Sequence, residues 1–109
     1  MRRRIDRATL LRLRTMRGED ALALLAIYLK SDATYRPIKN VTSRRWHLRT
    51  SRGEFEILTS GIKWYDTRAN RGGGGAVDLA MHILGASFAD AVAQLITRAR
   101  EHGPDHPQG

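Results

Sequence analysis

The chain reads as an α+β domain, a small antiparallel sheet with helices gathered on one of its faces. Three observations predict this. Apolar residues recur at helical spacing on either side of a central region, as in Leu22, Leu25, Ala26 and Leu29 or Ala91, Val92, Leu95 and Ile96. In the middle, Arg45-Trp46-His47-Leu48-Arg49 and Glu54-Phe55-Glu56-Ile57 alternate polar with apolar. Short turn signals, Ser51-Arg52-Gly53 and Ser60-Gly61, separate these runs.

Taken in order, Leu10, Leu13 and Met16 set an apolar stripe over residues 8–16, with Arg7, Arg12 and Arg14 turned away. A first helix is expected there, punctuated by Gly18. Glu19 and Asp20 suit the positive end of a helix dipole, so a second helix is predicted over residues 20–30, ended by Ser31 and Asp32. A three-stranded meander follows, its third run being Ile62-Lys63-Trp64-Tyr65-Asp66. A fourth short strand near residues 35–39 would lie at an edge, because Pro37 cannot donate to a ladder. Gly72 to Gly75 read as a turn into a helix over residues 76–84, closed by Gly85. Ser87 caps the last helix, residues 88–101, with Asp90 three positions on. The organisation is then a basic helical segment (1–18), a module (19–102) and a disordered tail (103–109) holding Pro104 and Pro107.

At 109 residues and 41% hydrophobic, the chain is one domain's worth of core. No run of 18 or more apolar residues exists, so no membrane span is expected. The basic start, Met1-Arg2-Arg3-Arg4, is followed by no apolar signal core, and a cytoplasmic location is expected. Without cysteine, disulfides and thiolate metal sites are both excluded. There are 19 Lys and Arg against 11 Asp and Glu, a net charge of +8, and 16 of the bases are Arg. Residues 1–71 hold 17 bases and 7 acids, whereas residues 72–109 hold 2 and 4. Arg presents a planar fork suited to phosphate, so this imbalance points to a polyanion partner. The competing reading is a generic solubilising charge.

One stretch carries a resemblance. Trp64-Tyr65-Asp66 precedes the glycines; Gly-Gly-Gly-Gly-Ala-Val-Asp-Leu occupies 72–79; Leu84-Gly85-Ala86-Ser87-Phe88-Ala89-Asp90-Ala91-Val92 and Leu95 follow. This resembles the second half of the CHC2-type zinc-binding domain of bacterial DNA primases, and the related modules of plasmid mobilisation and replication proteins. The helix expected over residues 20–30, with Tyr35-Arg36 after it, is similar to the family's opening. The resemblance covers roughly residues 19–97 and is specific from 64 to 95. It implies a zinc-ribbon-like primase module, and a role in holding single-stranded template. Its metal does not carry over: Thr67 and Asn70 stand at the positions of the second cysteine pair, and structural zinc wants Cys or His. No cofactor and no metal are expected, and the sheet must be held by its own core, including Trp46, Trp64 and Tyr65.

The candidate nucleic-acid-binding residues are Arg44, Arg45, Arg49, Arg52, Lys63, Arg68 and Arg71, with Gly73 and Gly74. Glycines before a helix let free N–H groups approach a phosphate, and Arg68 and Arg71 flank them; a tight turn would need the same residues. The meander's cations, interleaved with Trp46, Trp64 and Tyr65, resemble a stacking platform for a single strand, although large aromatics also serve a core. Arg2, Arg3, Arg4 and Arg7 read either as an arm tracking a backbone or as a leader. Asp66 and Asp78 are the acids nearest the glycines, and Asp78 is favourable in a first helical turn without further function. The histidines, His47, His82, His102 and His106, show no ligand spacing.

These residues predict a non-catalytic nucleic-acid-binding module, with single-stranded DNA favoured, in plasmid or phage replication or mobilisation. A primase, helicase or relaxase is its expected protein partner. The alternative is a protein-interaction domain derived from a primase or relaxase, docking through Leu10 and Leu13. No nucleophile–base pair, carboxylate pair or metal cluster is visible in the spacing, so no enzyme is expected.

Overall fold

A computed structural model describes residues 6–37 and 42–101. The arm residues Arg2, Arg3 and Arg4, the end of the strand expected near 35–39, and the tail with His102 and His106 lie outside the described residues.

Helix α1 (Arg7–Thr15) starts at Asp6, whose carboxylate accepts the Thr9 N–H at 2.7 Å. Its Arg12 and Arg14 fall in the last turn, where cations suit the dipole. Helix α2 (Gly18–Leu25) has Glu19 and Asp20 in its first turn. It stops five residues earlier than the apolar spacing predicts. The backbone turns extended at Ala26, the Ile27 N–H donates to the Arg49 carbonyl at 2.8 Å, and β1 (Tyr28–Ser31) begins. Leu29 satisfies both a helical and an alternating pattern, and pairing with the next strand decides between them.

The sheet is a continuous antiparallel meander in the order β1-β2-β3-β4-β5, with β2 (Arg44–Thr50), β3 (Gly53–Ser60), β4 (Lys63–Asp66) and β5 (Arg71–Gly74). The sequence predicts three strands, or four with one near residues 35–39. The described part of that fourth stretch, Tyr35 to Pro37, is not strand; the additional strands are β1, taken from the expected helix, and β5, made of the glycine run itself. Three glycines in a strand contradict β propensity, but an edge strand beside bulky Trp64 and Tyr65 needs no side chains of its own.

Helices α3 (Ala76–Leu84) and α4 (Phe88–Glu101) follow where predicted. Gly85 closes α3 in the left-handed region at φ 64°. The Ser87 Oγ accepts the Asp90 N–H at 3.1 Å, so Ser87→Ala should cost about 1 kcal/mol in urea denaturation.

Strand alternation divides the sheet. Leu48, Ile57 and Trp64 join Leu13, Leu22, Leu25, Leu79, Ile83, Val92 and Leu95 in one core, so all four described helices share it. The buried Thr50 hydroxyl donates to the Ile83 carbonyl at 2.8 Å and ties β2 to α3. The other face displays Tyr28, Arg45, His47, Arg49, Glu54, Glu56, Lys63 and Tyr65. No single described helix is long and apolar enough to cross a membrane.

Candidate functional site

The meander decides which cations meet. β2 and β4 run in the same direction, so the turn after each lies at the same end of the sheet. Arg49 and Arg52 come from the first of these turns and its approach, Arg68 and Arg71 from the second. β1 begins at this end too, and places Tyr28 opposite Arg49 in register. The Arg49 guanidinium lies over the Tyr28 ring, 5.6 Å from its centroid. Tyr28, His47, Arg49, Glu54, Phe55 and Arg68 line a depression of about 100 Å³.

Acids answer these arginines poorly. Glu54 approaches Arg49 only to 3.9 Å, and both side chains are more than half exposed, a pair worth little in water. Among the described residues, Arg52, Arg68 and Arg71 make no ion pair. Arg52 instead packs its guanidinium against Gly85 at the end of α3.

The remaining predicted cations are elsewhere. Arg44 and Lys63 belong to the opposite ends of their strands, opposite Thr59 and Ser60. Arg45 is on the open face but engaged: its Nε is 2.9 Å from Asp32 Oδ2 and 3.4 Å from Glu56 Oε2, and its guanidinium covers the Tyr35 ring. Hydrogen bonds from the Thr34 side chain, then from His47 and the Thr34 amide, with Arg45 adding to them, hold the Asp32 carboxyl well below the usual carboxylate range.

The glycine run is not an open cradle. Gly74 donates its N–H to Asp78 Oδ2 at 3.2 Å, and Gly75 donates to the Ile62 carbonyl at 2.8 Å. A Cβ on Gly73 would stand 1.9 Å from the same Asp78 oxygen. The helix's own first-turn carboxylate therefore occupies the place expected for a phosphate, and Gly73 and Gly74 drop out of the cationic end.

The tryptophans face the helices. Trp64 is buried, its Nε1 without a partner among the described residues. Trp46 is half-buried and donates its Nε1–H to Thr59 Oγ1 at 2.9 Å. The open face offers tyrosines instead: Tyr28 and Tyr65 are exposed and Tyr35 is half-buried. Tyr28 escaped the sequence reading because the helix expected over residues 20–30 absorbed it; its alternation with Lys30 was the available signal.

Thr67 and Asn70, at the family's ligand positions, hold a turn by ordinary hydrogen bonds. Thr67 Oγ1 donates to Glu56 Oε1 at 3.0 Å, and Asn70, at φ 57°, accepts from the Tyr65 hydroxyl. Beneath them Asp66 is buried. Its Oδ1 accepts the Arg68 and Ala69 N–H groups at 2.9 and 3.0 Å, and its Oδ2 meets His82 Nε2 at 2.7 Å. Burial pushes this carboxyl's pKa up, but the His82, Ala69 and Arg68 hydrogen bonds prevail and hold it below the ordinary value. The His82 ring stacks on Trp64 at 4.9 Å. The pair spans 16 positions in the chain, beyond what local spacing can reveal.

No family model matches the chain, and no solved structure matches it. Over 52 residues it is 38% identical to a protein of Zymomonas mobilis subsp. mobilis described as "65 kDa protein". That match takes in 48% of this chain but only 9% of the length of the curated relative.

Proposed function

We propose that this protein is a non-catalytic nucleic-acid-binding module, with single-stranded DNA its preferred ligand, serving plasmid or phage replication or mobilisation beside a primase, helicase or relaxase. One observation carries the reading: Arg49 and Arg68 line one depression with the exposed Tyr28, Arg52 and Arg71 belong to the turns at the same end of their strands, and Glu54 is the only acid pairing with any of the four among the described residues. Guanidinium groups left without carboxylates are free for phosphate, and a base stacked on a tyrosine adds roughly 1–3 kcal/mol. The resemblance of residues 64 to 95 to primase template-binding modules supports the same ligand.

Fluorescence anisotropy with single-stranded and duplex oligonucleotides tests it. Affinity should fall steeply with salt, as phosphate contacts release counterions. Arg68→Ala combined with Arg71→Ala should weaken binding across sequences and reduce the salt slope by about 0.7 per lost contact on single strands. Unchanged affinity and slope in the double variant would remove these arginines from the interface.

A second reading, a protein-interaction domain without nucleic-acid binding, draws on a groove of about 360 Å³ lined by Leu10, Leu13, Val77, Met81 and Phe88. Leu13 is buried in the core, so Leu10→Asp and Phe88→Asp, at an exposed lining residue, are the variants that address the groove. That reading requires a blank oligonucleotide titration and a partner capture or self-association that these variants abolish.

A further inference from the structure

A different constellation occupies the open face beside Arg45. Asp32 follows β1, and His47 on β2 faces Glu56 on β3 in register. One ligand atom from each of the three lies within 4.8 Å of the other two, and all three residues are half-buried. The far oxygens of both carboxylates are anchored. Asp32 Oδ1 accepts from the Thr34 amide at 2.9 Å and the Thr34 hydroxyl at 2.6 Å, and Glu56 Oε1 accepts from Thr67 at 3.0 Å. The near atoms converge: Asp32 Oδ2 is 3.0 Å from His47 Nε2, and Asp32 Oδ2 and Glu56 Oε2 face the same Arg45 Nε at 2.9 and 3.4 Å. The two carboxylate oxygens that converge here both lie against a side-chain cation, the Arg45 guanidinium.

We infer that Asp32, His47 and Glu56 form a binding site for a divalent ion of the zinc class, with Arg45 as the resident counter-cation that the ion displaces. One nitrogen and two oxygens suit a borderline divalent ion, and the chain has no thiolate to compete for it. Ligand atoms around tetrahedral zinc stand about 3.3 Å apart at normal bond lengths, close to the Asp32–His47 separation. The hydroxyls of Thr34 and Thr67 supply the outer hydrogen bonds that fix the direction of metal-binding carboxylates. These ligands come from the strands and the β1 end, and neither Thr67 nor Asn70, at the family's cysteine positions, is among them.

Cobalt(II) titration of the untagged full chain, followed by its visible absorption, and zinc calorimetry read the site directly. The wild type should bind one ion at this site. Arg45→Ala, which removes the competitor, should bind at least tenfold more tightly, whereas His47→Ala and Glu56→Gln should lose this binding. Circular dichroism melts establish that each variant is folded, and Asp32→Asn serves as a second loss variant. Absence of wild-type binding at millimolar metal overturns the inference. So does equal affinity in wild type and Arg45→Ala, or binding that survives His47→Ala, which would move the ion to other histidines.

Discussion

Replacing His82 with alanine lowers the stability of this domain by about 1–3 kcal/mol, the cost of leaving a buried hydrogen-bond acceptor without its partner. Asp66, 2% exposed in the wild type, loses the donor on Oδ2, and Trp64 loses the ring stacked on it. Urea denaturation measures this loss; a change under about 1 kcal/mol, as for an exposed pair, would mean that the pair does not clamp the β4–β5 turn to α3. The pH dependence has a definite sign. Asp66 titrates below its ordinary value in the folded chain, so its contribution is fully present above the unfolded value of about 3.9 and is lost as pH falls through the lower folded value. Wild-type melting temperature should therefore drop in acid below about pH 4. Asp66→Asn, which cannot titrate, should show a shallower drop. His82→Ala, in which burial acts with one hydrogen bond fewer opposing it, should begin to lose stability at higher pH than the wild type.

Gly73→Ala should cost about 1–3 kcal/mol, as overpacking of a filled site does. The new methyl would stand 1.9 Å from Asp78 Oδ2 and 3.1 Å from Cζ2 of the buried Trp64. The carboxylate can rotate away, but it then abandons the Gly74 N–H, and the buried indole must also shift. Gly74→Ala is the control, since nothing lies within 4 Å of its Cβ and its backbone needs no left-handed conformation. Adding Asp78→Ala to Gly73→Ala should recover part of the loss and leave the Trp64 conflict, a non-additivity that thermal melts of the four proteins resolve. Equal stability of Gly73→Ala and Gly74→Ala would show that packing against Asp78 is not what requires glycine there.

The helices and central strands were legible because local patterns carry them. The capping hydroxyl of Ser87, the left-handed Gly85 and the alternation of Trp46 and Leu48 are short-range features, and each did what its spacing predicts. The stretch from Ile27 to Ser31 was not legible, since Leu29 fits either period and only the partner strand β2 breaks the tie. The glycine run misled for a related reason. Its lack of side chains suggested a cradle for an outside anion, whereas packing shows a strand edge closed by the chain's own Asp78.

Composition and periodicity by themselves determined an α+β domain with a lopsided cationic charge, because net charge and hydrophobic period are sums over the chain and need no coordinates. Which cations are left without a nearby carboxylate was decided only by the tertiary structure. Arg45 and Arg49 are four positions apart in one strand, yet one is neutralised by Asp32 and Glu56 and the other faces a single distant glutamate. The Asp66–His82 pair and the Asp32–His47–Glu56 cluster belong to the same class. Strand pairing and helix packing bring such groups within hydrogen-bond reach, and Coulomb and hydrogen-bond energies depend on that distance rather than on separation along the chain.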